Sequence, residues 1–155
     1  MSGQTDNAYV VYADIVGDLF HAGHVRFLQH AKALGQHRAN RPVTLLVGVL
    51  GDETVAGYKR SPIQTLAERL IVIESCSVVD AVLADPIAVL TSDFLAEHRI
   101  DLVVHGDDMT QAELQHWYSV PMATGQFATV PYTRTIGAAD LSTSALIERI
   151  LKHET

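Results

Sequence analysis

The run Val43-Thr44-Leu45-Leu46-Val47-Gly48-Val49-Leu50, opened by Pro42, is almost unrelievedly apolar. A strand with one face in water alternates with a period of two. A continuous run fits a strand covered on both faces, as inside a parallel sheet. Val10 to Ile15 and Ile100 to His105 read the same way. Val78 to Leu83 and Phe127 to Tyr132 read as further strands. Helix signals fall between them. Gly23 to Leu34 places Val25, Leu28, Ala31 and Lys32 on one side, with Gly35 as a stop. Thr65 and Glu68 form a capping box that opens a helix through about Ser75. Pro86 and Thr91-Ser92-Asp93 flank a helix to His98, and Ser142-Thr143-Ser144 caps a last one through Leu151. Glu113 to Thr124 is weakly helical, with Pro121 as a break, and Gly51 to Pro62 reads as loop. Strand–helix alternation of this kind predicts an α/β fold, a doubly wound Rossmann-like parallel sheet with helices on both faces. Ligands in such folds bind beyond the carboxyl ends of the strands.

With 155 residues and no repeat or linker, one domain over residues 1–155 is expected, with 1–8 as a disordered tail. The net charge of -7 argues against nucleic acid or an anionic membrane as partner, but not against a small anion held by local cations. The single Cys76 excludes an internal disulfide and a cysteine-only metal site. The polar start Met1 to Asn7 gives no sign of a signal peptide, and no apolar run approaches the ~20 residues of a membrane span. A cytoplasmic location is the default expectation.

The chemistry-bearing residues cluster at the expected strand ends. Asp18-Leu19-Phe20-His21-Ala22-Gly23-His24 follows the first strand and opens a helix. Paired imidazoles at this spacing fit a metal site, a structural role, or phosphate handling at a helix N-terminus, where free N–H groups and a partial positive charge collect. The intervening glycine favours phosphate, and no close Cys or His completes a zinc site. Tyr58-Lys59-Arg60-Ser61-Pro62 is either a solvated basic loop or a phosphate clamp on the same rim. Arg69 sits in the first turns of a helix, against the dipole, which points to a salt bridge or a ligand contact. His105-Gly106-Asp107-Asp108 ends another strand, as a turn or as a holder of ribose, base or Mg²⁺. Arg134-Thr135-Ile136-Gly137, leading into Ser142-Thr143, is an N-cap cluster or a second anion site.

In this order, these segments resemble the small cytidylyltransferase-type nucleotidyltransferases, nearest to the ethanolamine-phosphate, choline-phosphate and glycerol-3-phosphate cytidylyltransferases. The likeness runs from about Val10 to Leu151. Asp18 to His24 matches the family's D-x-x-H-x-G-H, and Lys59, Pro62, Thr65, Glu68 and Arg69 match its second region. Val79-Asp80 and His105-Gly106-Asp107-Asp108 match further short motifs, and Tyr118 and Gly125 keep the family spacing. Arg134-Thr135 with Gly137, then Ser142-Thr143, resembles R-T-x-G-x-S-T.

The resemblance implies direct attack by a phosphate or phosphonate oxygen on the α-phosphorus of CTP, with release of pyrophosphate and with Mg²⁺ on the triphosphate. It implies His21, His24, Lys59 and Arg134 as the catalytic groups. It implies nucleotide contacts from Gly17, Asp18, Phe20, Gly23, His105, Gly106, Asp107, Thr135, Gly137, Ser142 and Thr143, and acceptor contacts from Asp18, Lys59 and Tyr118. A homodimer packed near the first motif is implied too. The chain departs from the pattern twice. Ile15-Val16-Gly17 stands where the family has glycine, a small residue and phenylalanine, and four residues, Ala138 to Leu141, separate Gly137 from Ser142 where the family has about one. Use of ATP in place of CTP, a non-catalytic nucleotide-binding protein, and a metal-dependent hydrolase built on the His pair are the competing readings.

Overall fold

The computed structural model describes residues 7–133, 135–137 and 139–153. Five parallel strands form one sheet in the order β3-β2-β1-β4-β5. They are β1 (Tyr9–Ile15), β2 (Val43–Val49), β3 (Ala81–Ala84), β4 (Leu102–Gly106) and β5 (Phe127–Val130). β1 pairs with β2 on one side, from Tyr9↔Val43 to Ile15↔Val49, and with β4 on the other. The chain therefore reverses its direction of travel across the sheet at β1, and the crevice at that switch lies at the carboxyl end of β1 and β4. The doubly wound α/β expectation is borne out.

Helices α1 (Ala22–Arg38) and α3 (Leu66–Glu74) cover one face, where Phe27, Leu28, Ala31 and Ile73 pack on Val11, Leu45, Val47 and Val104. Helices α4 (Ser92–Glu97) and α5 (Gln111–Ala123) cover the other, where Phe94, Leu95 and Tyr118 pack on Tyr12, Leu46 and Val103. This double covering is why the strands read as continuous apolar runs. The capping box at Thr65 and Glu68 forms as expected, with Glu68 N donating to Thr65 Oγ1 at 3.3 Å and Thr65 N to Glu68 Oε2 at 2.8 Å.

Several boundaries differ from the sequence reading, each for a definite physical reason. Gly35 does not stop α1, which runs on to Arg38. A Cβ at Gly35 would lie 2.3 Å from Val11 Cγ2, so the glycine lets the helix lie close on the sheet. Within α1 the buried stripe is Phe27, Leu28, Ala31 and Gly35, while Lys32 leaves it to pair with Asp80 at 2.8 Å. The Gly51–Pro62 loop contains the short helix α2 (Asp52–Ala56), whose first turn carries Asp52 and Glu53. β3 starts at Ala81, because Asp80 Oδ2 accepts from Leu45 N at 2.8 Å and takes the place of a ladder bond. β5 ends at Val130, since Pro131 has no N–H to donate.

Pro121 does not end α5 but kinks it at Tyr118, whose φ of -126° leaves the helical region. The carbonyl of Trp117 accepts instead from Leu90 N at 3.1 Å. Of the extra residues after Gly137, Ala139 and Asp140 form β7 (Ala139–Asp140), which pairs antiparallel with β6 (Thr135–Ile136) in a ribbon that the sequence reading missed. Helix α6 (Thr143–His153) follows, opened by Ala145 N donating to Ser142 Oγ at 2.9 Å.

Helix propensity alone says that Gly35→Ala should stabilise α1 by about 1 kcal/mol. The contact with Val11 gives the opposite sign. Gly35→Ala is expected to lower stability by about 1–3 kcal/mol in a urea titration, and a gain would contradict this packing.

Candidate active site

Two left-handed residues let the chain turn from β1 into α1. Gly17 has φ 69° and Leu19 φ 48°. A side chain at Gly17 would also meet Ile73 Cδ1 at 2.6 Å, so glycine is required there both for its backbone and for its lack of bulk. Ile15 and Val16 complete the departure from the family pattern, and both line the cleft described below.

The two histidines cap the helix that follows, and cap it reciprocally. Gly23 N donates to His21 Nδ1 at 3.0 Å, and His21 N donates to His24 Nδ1 at 3.1 Å. A neutral imidazole that accepts at Nδ1 carries its proton at Nε2. Burial lowers the pKa of His21. Burial first, and then the His21 ring, push that of His24 down to about 3. At neutral pH both rings are therefore uncharged Nε2–H donors, 4.0 Å apart between centroids. His24 lines the cleft, and His21 Nε2 is buried with no protein partner. Gly23 is needed because a Cβ would lie 2.8 Å from His21 Cε1. Phe20 stacks on His24, with ring centroids 5.2 Å apart and planes at 9°, and so fixes its ring plane.

Arg69 is fully buried at 0% exposure. Its Nη1 donates to Val16 O at 2.6 Å and to Leu50 O at 2.7 Å, its Nε to Gln64 O at 3.2 Å, and its Nη2 to Asp52 Oδ1 at 2.6 Å. The salt-bridge reading of Arg69 is thus the one realised, and it ties the ends of β1 and β2 to α2 and to the basic loop. Asp18 completes the tie. Its carboxylate accepts from Ile63 N at 2.9 Å, Gln64 N at 3.0 Å and Arg60 Nη1 at 3.3 Å. Burial acts to raise the Asp18 pKa, but these donors outweigh it and hold the carboxyl below its ordinary value.

Around these supports lies a cleft of about 450 Å³ at the carboxyl ends of β1, β2 and β4. Of the residues named from sequence, Gly17, Asp18, His24, Lys59, His105, Gly106, Tyr118, Ser142 and Thr143 line it. Lys59 is exposed as a residue, but loss of water around its ammonium, and then the Arg60 charge, lower its pKa. Thr143 Oγ1 donates to Asp18 O at 3.0 Å, which brings the start of α6 to the histidine loop. Asp107 turns away to accept from Tyr132 N at 3.1 Å. Thr135 and Gly137 stand exposed on the β6–β7 ribbon, outside the cleft lining. Arg134 lies outside the described residues.

Sequence reasoning named Tyr118 but missed Asp14 and Trp117 at the far end of the cleft. There the buried Asp14 accepts from Tyr118 Oη at 2.5 Å. Burial raises the Asp14 pKa, against the Tyr118 hydrogen bond and the His105 ring, and burial also raises that of Tyr118. Tyr58 and Trp117 form the adjoining wall, with ring centroids 5.3 Å apart. An available signal for Asp14 was an acid inside the apolar run of β1. Trp117 reaches the site through the kink in α5, which spacing does not reveal.

No group of three His, Cys, Asp or Glu side chains is placed to hold a metal among the described residues. Asp18 already takes three donors and Asp14 is bonded to Tyr118.

Residues 18–149 match the family model described as cytidylyltransferase-like. Choline-phosphate cytidylyltransferase A of Rattus norvegicus is 39% identical over 143 residues, which span 92% of this chain and 36% of that protein. Ethanolamine-phosphate cytidylyltransferase of Arabidopsis thaliana is 35% identical over 160 aligned positions, spanning 98% of this chain and 35% of that protein. Among solved structures, the lipopolysaccharide core biosynthesis protein from Thermoplasma volcanium superposes with a TM-score of 0.63 at 26% identity, over 81% of this chain and 98% of that one. The chain belongs to the cytidylyltransferase-like family. It spans about a third of the length of the curated relatives it matches.

The reciprocal caps make a direct expectation. Nitrogen-15 NMR of labelled imidazoles at pH 7 should show both His21 and His24 as Nε2–H tautomers, with His24 unprotonated down to about pH 4. A Nδ1–H tautomer, or titration of His24 near 6.5, would contradict the arrangement.

Proposed function

We propose that this chain transfers CMP from CTP to a small acceptor bearing a phosphate or phosphonate, and releases pyrophosphate. The observation that carries the reading is the pair of neutral Nε2–H donors at the start of α1, one facing the cleft and the other buried without a protein partner. Family membership and the names of the relatives support it.

The reaction forms one P–O bond and breaks another. An acceptor oxygen, ionised at neutral pH, attacks the α-phosphorus in line, and the bridging oxygen leaves with pyrophosphate. No general base is needed. Catalysis then rests on positioning and on donors aimed where negative charge grows. His21 and His24 would donate to the α-phosphate and the leaving oxygen without carrying charge of their own. Lys59 would bridge the α-phosphate and the acceptor. Ser142 and Thr143, with the N–H groups opening α6, would hold the outer phosphates, joined by Arg134. His105 and Gly106 would border the nucleoside. The rest of the acceptor would lie against Asp14, Tyr58 and Tyr118, with Asp18 acting through the loop it holds. Mg²⁺ would accompany the triphosphate.

A homodimer, readable by sedimentation, and a cytoplasmic location belong to the same reading. No helix among the described residues is long and apolar enough to cross a membrane.

Pyrophosphate release should be measured with CTP and with ATP against a panel of phosphate and phosphonate acceptors. Turnover is expected with CTP. His24→Ala should lower kcat by about 10²–10³-fold, the usual effect of losing one transition-state donor, with a folded circular-dichroism spectrum. Preference for ATP would redirect the reading to adenylyl transfer. Binding of CTP with no pyrophosphate from any acceptor would favour a non-catalytic nucleotide-binding protein.

A further inference from the structure

Gln64 lies outside the motifs that pointed to the site, yet it makes two hydrogen bonds between the two loops that carry the reacting groups and a third to α3. Its N–H donates to Asp18 Oδ1 at 3.0 Å. Its side-chain Oε1 accepts from Leu19 N at 2.8 Å. Its carbonyl accepts from the buried Arg69 Nε at 3.2 Å. The first two bonds form a reciprocal clasp, in which each loop offers a side-chain acceptor to a backbone N–H of the other.

The position of this clasp matters more than its strength. Leu19 stands two residues before His21, and Lys59 stands five before Gln64. Leu19 is held in the left-handed region at φ 48°, where a leucine rests only if its surroundings fix it. Gln64 Oε1 takes the N–H of that residue. The three bonds of the Asp18 carboxylate all take donors from the basic loop, while the Asp18 carbonyl is held by Thr143 at the start of α6. The side chain of Gln64 supplies the bond in the return direction. In a reaction that depends on placement, a shift of about 1 Å can cost about 10²-fold.

We propose that Gln64 is a positioning residue, which holds the Lys59 loop in register with the His21–His24 loop. The inference rests on the nucleotidyl-transfer reading. It assigns Gln64 no contact with substrate. Its effect on the reaction passes through Lys59.

The test is a double-mutant cycle in the full chain. Gln64→Met keeps the length of the side chain and removes the strong acceptor. Gln64→Asn keeps the amide but shortens its reach, and gives a second, milder break. Trp117, the single tryptophan, lines the cleft and reports CTP binding by fluorescence. In ligand-free protein, Gln64→Met should speed hydrogen exchange at the Leu19 amide about tenfold or more, with a melting temperature within a few degrees of wild type. It should lower kcat/KM by about tenfold. In a Lys59→Ala background the same change should cost less than about twofold, because no ammonium remains to be placed. Gln64→Glu, which retains an acceptor oxygen at the same reach, should restore protection at Leu19.

Equal fractional losses in both backgrounds would overturn the proposal, as would unchanged exchange at Leu19 in both Gln64→Met and Gln64→Asn. The cycle is also read on the CTP dissociation constant. A wild type that binds CTP but releases no pyrophosphate would sink the nucleotidyl-transfer reading, while the cycle on binding would still decide on Gln64.

Discussion

The site hangs on one buried cation. A guanidinium with no exposure to water is tolerated only when its N–H groups are met, and stripping a partner from a buried charge costs about 3–5 kcal/mol. Arg69 meets that demand with the carbonyls of Val16, Leu50 and Gln64 and the carboxylate of Asp52. Those four acceptors belong to the end of β1, the end of β2, the basic loop and α2. They are the segments that must stay in register if a ligand is to be gripped across the top of the sheet. The acceptors come largely from the backbone, so the cation fixes the course of the chain rather than the rotamer of a neighbour. Asp18 and Gln64 then join the same loops from the other side.

On this frame the histidines gain a definite chemical state. Each uses Nδ1 to cap α1, so each presents Nε2–H, and burial keeps both rings neutral. In the proposed transfer, neutral donors would follow the growing negative charge without holding the product by a full ion pair. The net charge of -7 shows why local placement matters. Lys59 and Arg60 bring cationic side chains to the cleft in a chain of negative overall charge. The cleft also has two chemically different ends. Hydroxyls and helix N–H groups border one, and the Asp14–Tyr118 pair with two aromatic rings borders the other.

Much of this was legible in the sequence, and the failures are instructive. The parallel sheet followed from apolar runs without alternation, because covering on both faces leaves that mark directly. The Thr65 cap, the histidine pair and the Ser142 cap were legible because their interactions are local. What escaped depends on contacts between segments far apart. Gly35 looked like a helix stop, yet it answers to Val11 on a neighbouring strand. Asp18 and Phe20 carried motif positions, but the Asp18 carboxylate is taken up by the basic loop and the Phe20 ring by the His24 ring. Trp117 enters the site through a kink whose carbonyl is taken up by Leu90. Ala139 and Asp140 pair with Ile136 and Thr135 as a ribbon, and Leu141 beyond it comes within reach of Gly23, an outcome of closure rather than of propensity.

The central claim is that Arg69 holds the histidine loop and the basic loop as one body on the strand ends. Amide hydrogen exchange on wild type and Arg69→Met, followed residue by residue, tests it most directly. The account expects the amides of Leu19, Ile63 and Gln64 to lose protection together, while Leu102 to Gly106 in β4 keep theirs. Independent loss at one loop alone, or unchanged protection at all three amides, would contradict it.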